Sequence, residues 1–209
     1  MRQRPYQLFW NTIIITTFAL ITPITTQARV QGQWDTTTLS RIDVTAINAP
    51  HLTPEHYVDI ADGTYHFWSN AQFTAGEIKG RWQESNNKYS VIVNKSWLEQ
   101  QFINRLESNP GVFVNEVSLL QSSFNGNVLD NGLWGNENYV YRVDTTKNNR
   151  REIVKVAMTV KVAGFAAQRF KAQNREQPDK PMLSSLDLAV NAVIRHWHEL
   201  ETHSSTYPE

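Results

Sequence analysis

The stretch Val154-Lys155-Val156-Ala157-Met158-Thr159-Val160-Lys161-Val162 decides the fold class. Its even positions are all apolar; its odd positions are Lys, Ala, Thr and Lys. A period of two in β-branched residues predicts a strand with one buried face. The same pattern recurs upstream, where Trp34, Thr36, Thr38, Ser40, Ile42 and Val44 share one face and Asp35, Thr37, Arg41 and Asp43 the other. Tyr57 to Ile60 and Thr64 to Trp68 flank Ala61-Asp62-Gly63, which reads as a tight hairpin. Ile78 to Trp82 and Tyr89 to Val93 flank Ser85-Asn86-Asn87-Lys88, a second hairpin. Val112 to Leu120, Phe124 to Leu129 and Tyr139 to Val143 are further strands, punctuated by Asn125-Gly126, Asn131-Gly132 and Lys147-Asn148-Asn149. Segments of this kind at near-regular spacing, without alternating helices, predict a mainly β chain. The expected architecture is an antiparallel β-barrel of about eight strands, with one inserted and one C-terminal helix.

Ser96-Trp97-Leu98-Glu99 has the form of a capping box, followed by Leu98, Phe102 and Leu106 at intervals of four. Ser108-Asn109-Pro110-Gly111 stops that helix. The second helix spans 184–202, with an apolar stripe of Leu186, Ala189, Val190, Val193, Ile194, Trp197 and Leu200. Residues 169–183 read as a polar linker and 203–209 as a tail, so 29–168 form the barrel domain. The helix either docks on the barrel or engages a protein partner; docking is the expectation.

At the N-terminus, Arg2 and Arg4 precede an uncharged, mostly apolar run from Leu8 to Ile21. Thr22-Pro23 breaks the run, and Ala28 is a small residue at a cut site. Residues 1–28 therefore read as a signal peptide, and the product as exported, periplasmic or secreted. The run falls short of the roughly 18 residues of a spanning helix, so no transmembrane span is expected after cleavage; an uncleaved anchor is the alternative. Equal numbers of basic and acidic residues, 20 each, exclude the basic footprint of a nucleic-acid partner. The absence of Cys excludes disulfides and thiolate chemistry.

Gly32-Gln33-Trp34 opens the first strand, Ile60 to Tyr65 precede Gly80-Arg81-Trp82, and Gly132-Leu133-Trp134 is a third copy of the triplet. These resemble the opening signature of lipocalins and their calycin-type relatives. The resemblance implies a meander barrel that binds or carries a small apolar ligand inside. Tyr65, Phe67, Val156, Met158 and Val160 are the interior ligand-binding candidates.

No hydrolase elbow, phosphate loop or His-Glu-x-x-His occurs, so no catalytic residue, metal site or cofactor is expected. His196 and His198 lie about 200° apart on a helix and cannot share a metal; Glu199 and His203 share a face but are too few for a tight site, so this segment reads as a solvated helix face. His51, His56 and His66, near Glu55 and Asp59, leave an acid–base site as a third reading. Trp68, on a more polar face, points to an interaction surface. Three readings stay open: a carrier of an apolar ligand, an envelope interaction protein with a packed barrel and a partner-binding helix, and an enzyme on the same barrel.

Overall fold

The computed structural model describes residues 30–49, 53–129, 132–166 and 185–204. The expected signal segment, the linker and the end of the tail lie outside the described residues, as does His51. Eight strands run in chain order around a closed antiparallel barrel. They are β1 (Gly32–Ala46), β2 (Glu55–Phe67), β3 (Gln72–Ala75), β4 (Ile78–Ser85), β5 (Lys88–Val93), β6 (Val112–Leu129), β7 (Gly132–Lys147) and β8 (Arg150–Ala166). Two helices complete the chain, α1 (Lys95–Glu107) between β5 and β6, and α2 (Ser185–Ser204) after β8. The wall closes where β1 pairs with β8, from Trp34↔Ala166 to Ala46↔Val154.

Alternation sets which side chains face inward. The even residues of β8 from Val154 to Val162 are buried, as are those of β1 from Trp34 to Ala46. On the outer wall Lys155 and Lys161 of β8, Arg41 of β1, and Lys79 and Arg81 of β4 are exposed. The interior is therefore mostly apolar, while the outer wall mixes these charges with exposed apolar side chains such as Val58, Ile60, Ile92, Phe113 and Phe165.

Its strands are unequal, and that decides where the helices go. β3, β4 and β5 pair only with the half of the wall that contains Phe67 and Phe124. In the other half, β6, β7, β8, β1 and β2 curl around an opening that α1 and α2 fill. Leu98, Phe102 and Leu106 of α1 are buried there, and the Phe102 ring lies 4.8 Å from that of Tyr141. Where β6 runs past β5 it has no strand partner on that side. The Leu119 amide donates instead to Glu99 Oε1 at 2.7 Å, which satisfies a strand edge with a helix carboxylate. Arg105 then ties α1 to both neighbours, with Glu77 at 2.6 Å and Asp187 of α2 at 2.9 Å.

The strand-rich half is packed with aromatic rings. Phe67, Phe73, Tyr89 and Phe124 meet mostly edge-on, at centroid distances of 5.0 to 5.7 Å. Trp34 and Trp82 close that end, donating their indole N–H to the carbonyls of Val30 at 2.7 Å and Trp68 at 2.9 Å.

The structure departs from the sequence reading in several places. Ala61-Asp62-Gly63 is not a turn, because β2 continues through it, paired with β1 from Gly32↔Phe67 to Val44↔Glu55. Asp62 instead accepts from Thr37 Oγ1 at 2.6 Å, and the chain reverses after Trp68, where Ala71 takes φ 62°. Val112 to Leu129 is one strand that absorbs two irregularities against β7, not two strands. Asn94, not Ser96, caps α1, accepting from the Trp97 amide at 3.0 Å, while Glu99 turns to β6. Trp134 is exposed and Leu133 buried, so the third Gly-x-Trp is out of phase with the first two. The Asn86-Asn87 and Asn148-Asn149 turns both occur with φ between 51° and 63°, as their hairpins require.

Candidate functional site

All five interior candidates point into the barrel. Tyr65, Phe67, Val156, Met158 and Val160 are each at most 2% exposed. They do not surround an open chamber. The interior void bordered by Tyr65, Val160, Thr38 and Ser40 has a volume of about 10 Å³. That is room for one water molecule, far below the several hundred Å³ of a small-molecule site.

Beside that void sits Glu137, a buried acid absent from the sequence-based candidates. It projects inward from β7 in phase with Leu133, Tyr139, Tyr141 and Val143. Tyr65 and Tyr139 both donate their hydroxyls to it, the latter at 3.1 Å, and Ser185 at the first turn of α2 supplies a third hydrogen bond. Burial pushes the Glu137 carboxyl above its ordinary value of 4.5, while the three hydroxyls pull it back. Burial likewise pushes Tyr65 and Tyr139 far above the usual phenol range, with the carboxylate acting in the same direction. These hydroxyls stay protonated donors. The cluster anchors the start of α2 to the barrel wall. An acidic residue in phase with an apolar alternation was the available signal for it.

The rest of α2 is consumed in docking. Leu186, Ala189, Val190, Val193, Trp197 and Leu200 of its stripe are buried. His196 is buried as well, contrary to its reading as a solvated residue, and its Nδ1 lies 2.5 Å from Glu55 Oε1. Trp197 donates to Thr145 Oγ1 at 3.1 Å, and Lys147 pairs with Glu201 at 2.7 Å. What α2 leaves to solvent is polar: Asn191, Arg195, His198 and Glu199. Among the described residues, His56 and His66 do not form an enclosed acid–base site. His56 pairs with Asp43 at 2.6 Å on the exposed wall, and His66 stacks on Trp68 at 5.3 Å.

The large concavity lies outside the barrel. A groove of about 1160 Å³ crosses the outer wall over six strands. The pairing registers place two rows of outward side chains along it. One row reads Ser85, Lys88, Asn127, Trp134, Ala163 and Thr37; the next reads Gln83, Ser90, Asn125, Asn136, Lys161 and Leu39. Paired strands are about 4.8 Å apart, so each row follows roughly 24 Å of wall. Beneath the groove, Gly126 and Gly135 pair with one another. Their missing β-carbons leave the space that the Tyr89 ring occupies from the inside. The wall sinks onto Tyr89 there, which helps to hollow the groove above. Sequence reasoning missed this surface, because its residues come from strands separated by as many as 126 positions and only the registers align them.

Fold and site together define a class: a closed eight-strand antiparallel barrel with a filled apolar interior, two helices completing its wall, and a polar outer groove. No family model matches the chain, and no curated protein matches it. Among solved structures it is similar to the crystal structure of Ail, the attachment invasion locus protein of Yersinia pestis, at 10% identity and a TM-score of 0.24, over 65% of this chain and 99% of that one. A likeness that slight carries no argument about function. None of these comparisons shows membership of the lipocalin family.

Proposed function

We propose that this chain is an exported, non-catalytic interaction protein of the cell envelope, a packed barrel that binds through its outer wall. The observation that carries the reading is the interior void of about 10 Å³, set against a groove of about 1160 Å³ outside. A barrel built to carry a ligand keeps its chamber open; this one fills it with aromatic rings, α1 and α2. Export rests on the leader-like residues 1–28.

The outer wall supports a water-facing barrel over one embedded in lipid. Bilayer barrels are apolar outside and polar within. Here Arg41, Lys155 and Lys161 project outward from the long strands β1 and β8, among exposed apolar residues such as Ile60, Phe113 and Phe165. Each such charge facing lipid costs about 2–4 kcal/mol at the bilayer midplane. No described helix is long and apolar enough to cross a membrane, which bears on the helices alone and not on the barrel.

Carriage of an apolar ligand, which the lipocalin resemblance implies, requires side chains such as Phe67 and Met158 to move aside. Titration with N-phenyl-1-naphthylamine separates the readings. A packed barrel gives no saturable fluorescence rise; stoichiometric uptake that Met158→Trp abolishes would establish an internal carrier and overturn the proposal.

A further inference from the structure

We infer that the outer groove is a binding site for an uncharged oligosaccharide, with Trp134 as its stacking platform. This rests on the reading that the outer wall is the working surface. Trp134 is 50% exposed, although its neighbours along β7, Leu133 and Gly135, are buried. Its indole makes no hydrogen bond among the described residues. An indole presented in this way offers a flat apolar face and one N–H donor.

Asn127 lies directly across from Trp134, and Asn125 directly across from Asn136, so three side-chain amides and the indole form one block on two strands. Gln83 adds a fourth amide two strands away, across Ser90. All four amide residues except Gln83 sit beside Trp134, and all four are exposed. None of the four amides is spent on another side chain within the described residues. Each offers a carbonyl acceptor and two N–H donors in one plane. Vicinal sugar hydroxyls, which both donate and accept, match that set, while the C–H face of a pyranose ring stacks on the indole.

The other occupants fit less well. Two lysines, Lys88 and Lys161, stand on different strands at either side of the block, too few and too far apart for a polyanion footprint. Trp134, Leu39 and Ala163 do not make the continuous apolar stripe that a partner helix needs. The strands under the groove are paired on both sides there except at Gln83–Ser85 of β4, which β3 does not reach, so a peptide strand could join only at that one short end, away from Trp134.

The test is titration of the purified chain, labelled with 15N, with cellohexaose, maltohexaose and chitohexaose. The Trp134 indole resonance is assigned by its loss in Trp134→Ala. Saturable binding of at least one hexasaccharide, movement of that indole signal, and weakening of about tenfold or more in both Trp134→Ala and Asn136→Ala are expected. The affinity should persist at about 1 M salt, where charges are screened within roughly 3 Å. Trp134 and Asn136 are exposed, so both variants should keep the wild-type unfolding temperature. Absence of saturable shifts with all three sugars overturns the inference, as does binding indifferent to Trp134→Ala. Binding confined to heparin and lost at high salt also overturns it. A photo-crosslinker at position 136 that captures only protein overturns the sugar while leaving the outer-wall reading in place. Uptake of the naphthylamine probe inside the barrel defeats the outer-wall reading independently.

Discussion

The hydroxyl of Tyr89 lies in the space that a β-carbon on Gly135 would need, and the same ring blocks a β-carbon on Gly126. One inward tyrosine thus meets two facing glycines at the place where the wall is hollowed from outside. The contact joins core packing to the shape of the groove. Gly135→Ala should destabilise the fold by about 1–3 kcal/mol through overpacking, measured by urea denaturation. The buried Tyr89 hydroxyl finds no hydrogen-bond partner among the described residues, so Tyr89→Phe should cost nothing or stabilise slightly. In the double variant the two changes should be non-additive, with Tyr89→Phe relieving part of the Gly135→Ala penalty.

Glu137 makes the fold less tolerant of high pH. Its carboxyl is raised by burial, so the stability it contributes is fully present below the unfolded value of 4.5 and is lost as pH rises through the folded value. Glu137→Gln keeps a group that can accept from Tyr65 and Tyr139 and removes the ionisation. The difference in unfolding free energy, wild type minus variant, should fall across that window and level off above it. A difference that stays flat with pH would refute the assignment. Glu137→Leu should cost about 1–3 kcal/mol or more at every pH, because the three hydroxyls lose their acceptor.

Asp144 works in the opposite direction. Arg151 binds it through two nitrogens at 2.5 and 3.0 Å, and Asn115 adds a bond at 2.9 Å. These bonds, led by Arg151, hold its carboxyl below the ordinary 3.8. Its contribution is present above pH 3.8 and disappears as pH falls through the folded value. Asp144→Asn should therefore be destabilising at neutral pH and close to wild type in strong acid, as read from denaturation midpoints across the acid range.

The pair His196 and Glu55 links α2 to the first residue of β2 across 141 positions. Glu55 also accepts from the Tyr57 hydroxyl. His196→Ala removes a buried ring and one of the two hydrogen bonds to the half-buried Glu55, which costs about 1–3 kcal/mol. His196→Ala should raise amide exchange throughout α2 while leaving the β7–β8 ladder protected. Equal loss of protection in both would mean that helix and barrel unfold as one unit.

How much of this was legible in the chain differs by element. The inward faces of β1 and β8 could be read residue by residue, because alternation is local and each buried side chain announces itself two positions from the next. The Asn-Asn turns were legible for the same reason. Asp62-Gly63 misled because the dipeptide permits a turn without requiring one, and the long pairing of β2 with β1 overrode it. Ser96 misled because two residues in one short segment could cap the helix, and the one nearer the strand did.

By itself, then, the order of residues determined the number of strands to within one or two, the inward faces of β1 and β8, and the apolar stripe of the last helix. Only the tertiary structure decided that short β3 to β5 leave half the wall open, that α1 and α2 fill it, and that the interior has no room to spare. It also decided that His196 turns inward, that Glu137 collects three hydroxyls, and that two rows of side chains align over six strands. The reason is the range of the causes. Periodicity acts between neighbours, whereas closure, register and the filling of a common interior are settled among segments far apart in the chain.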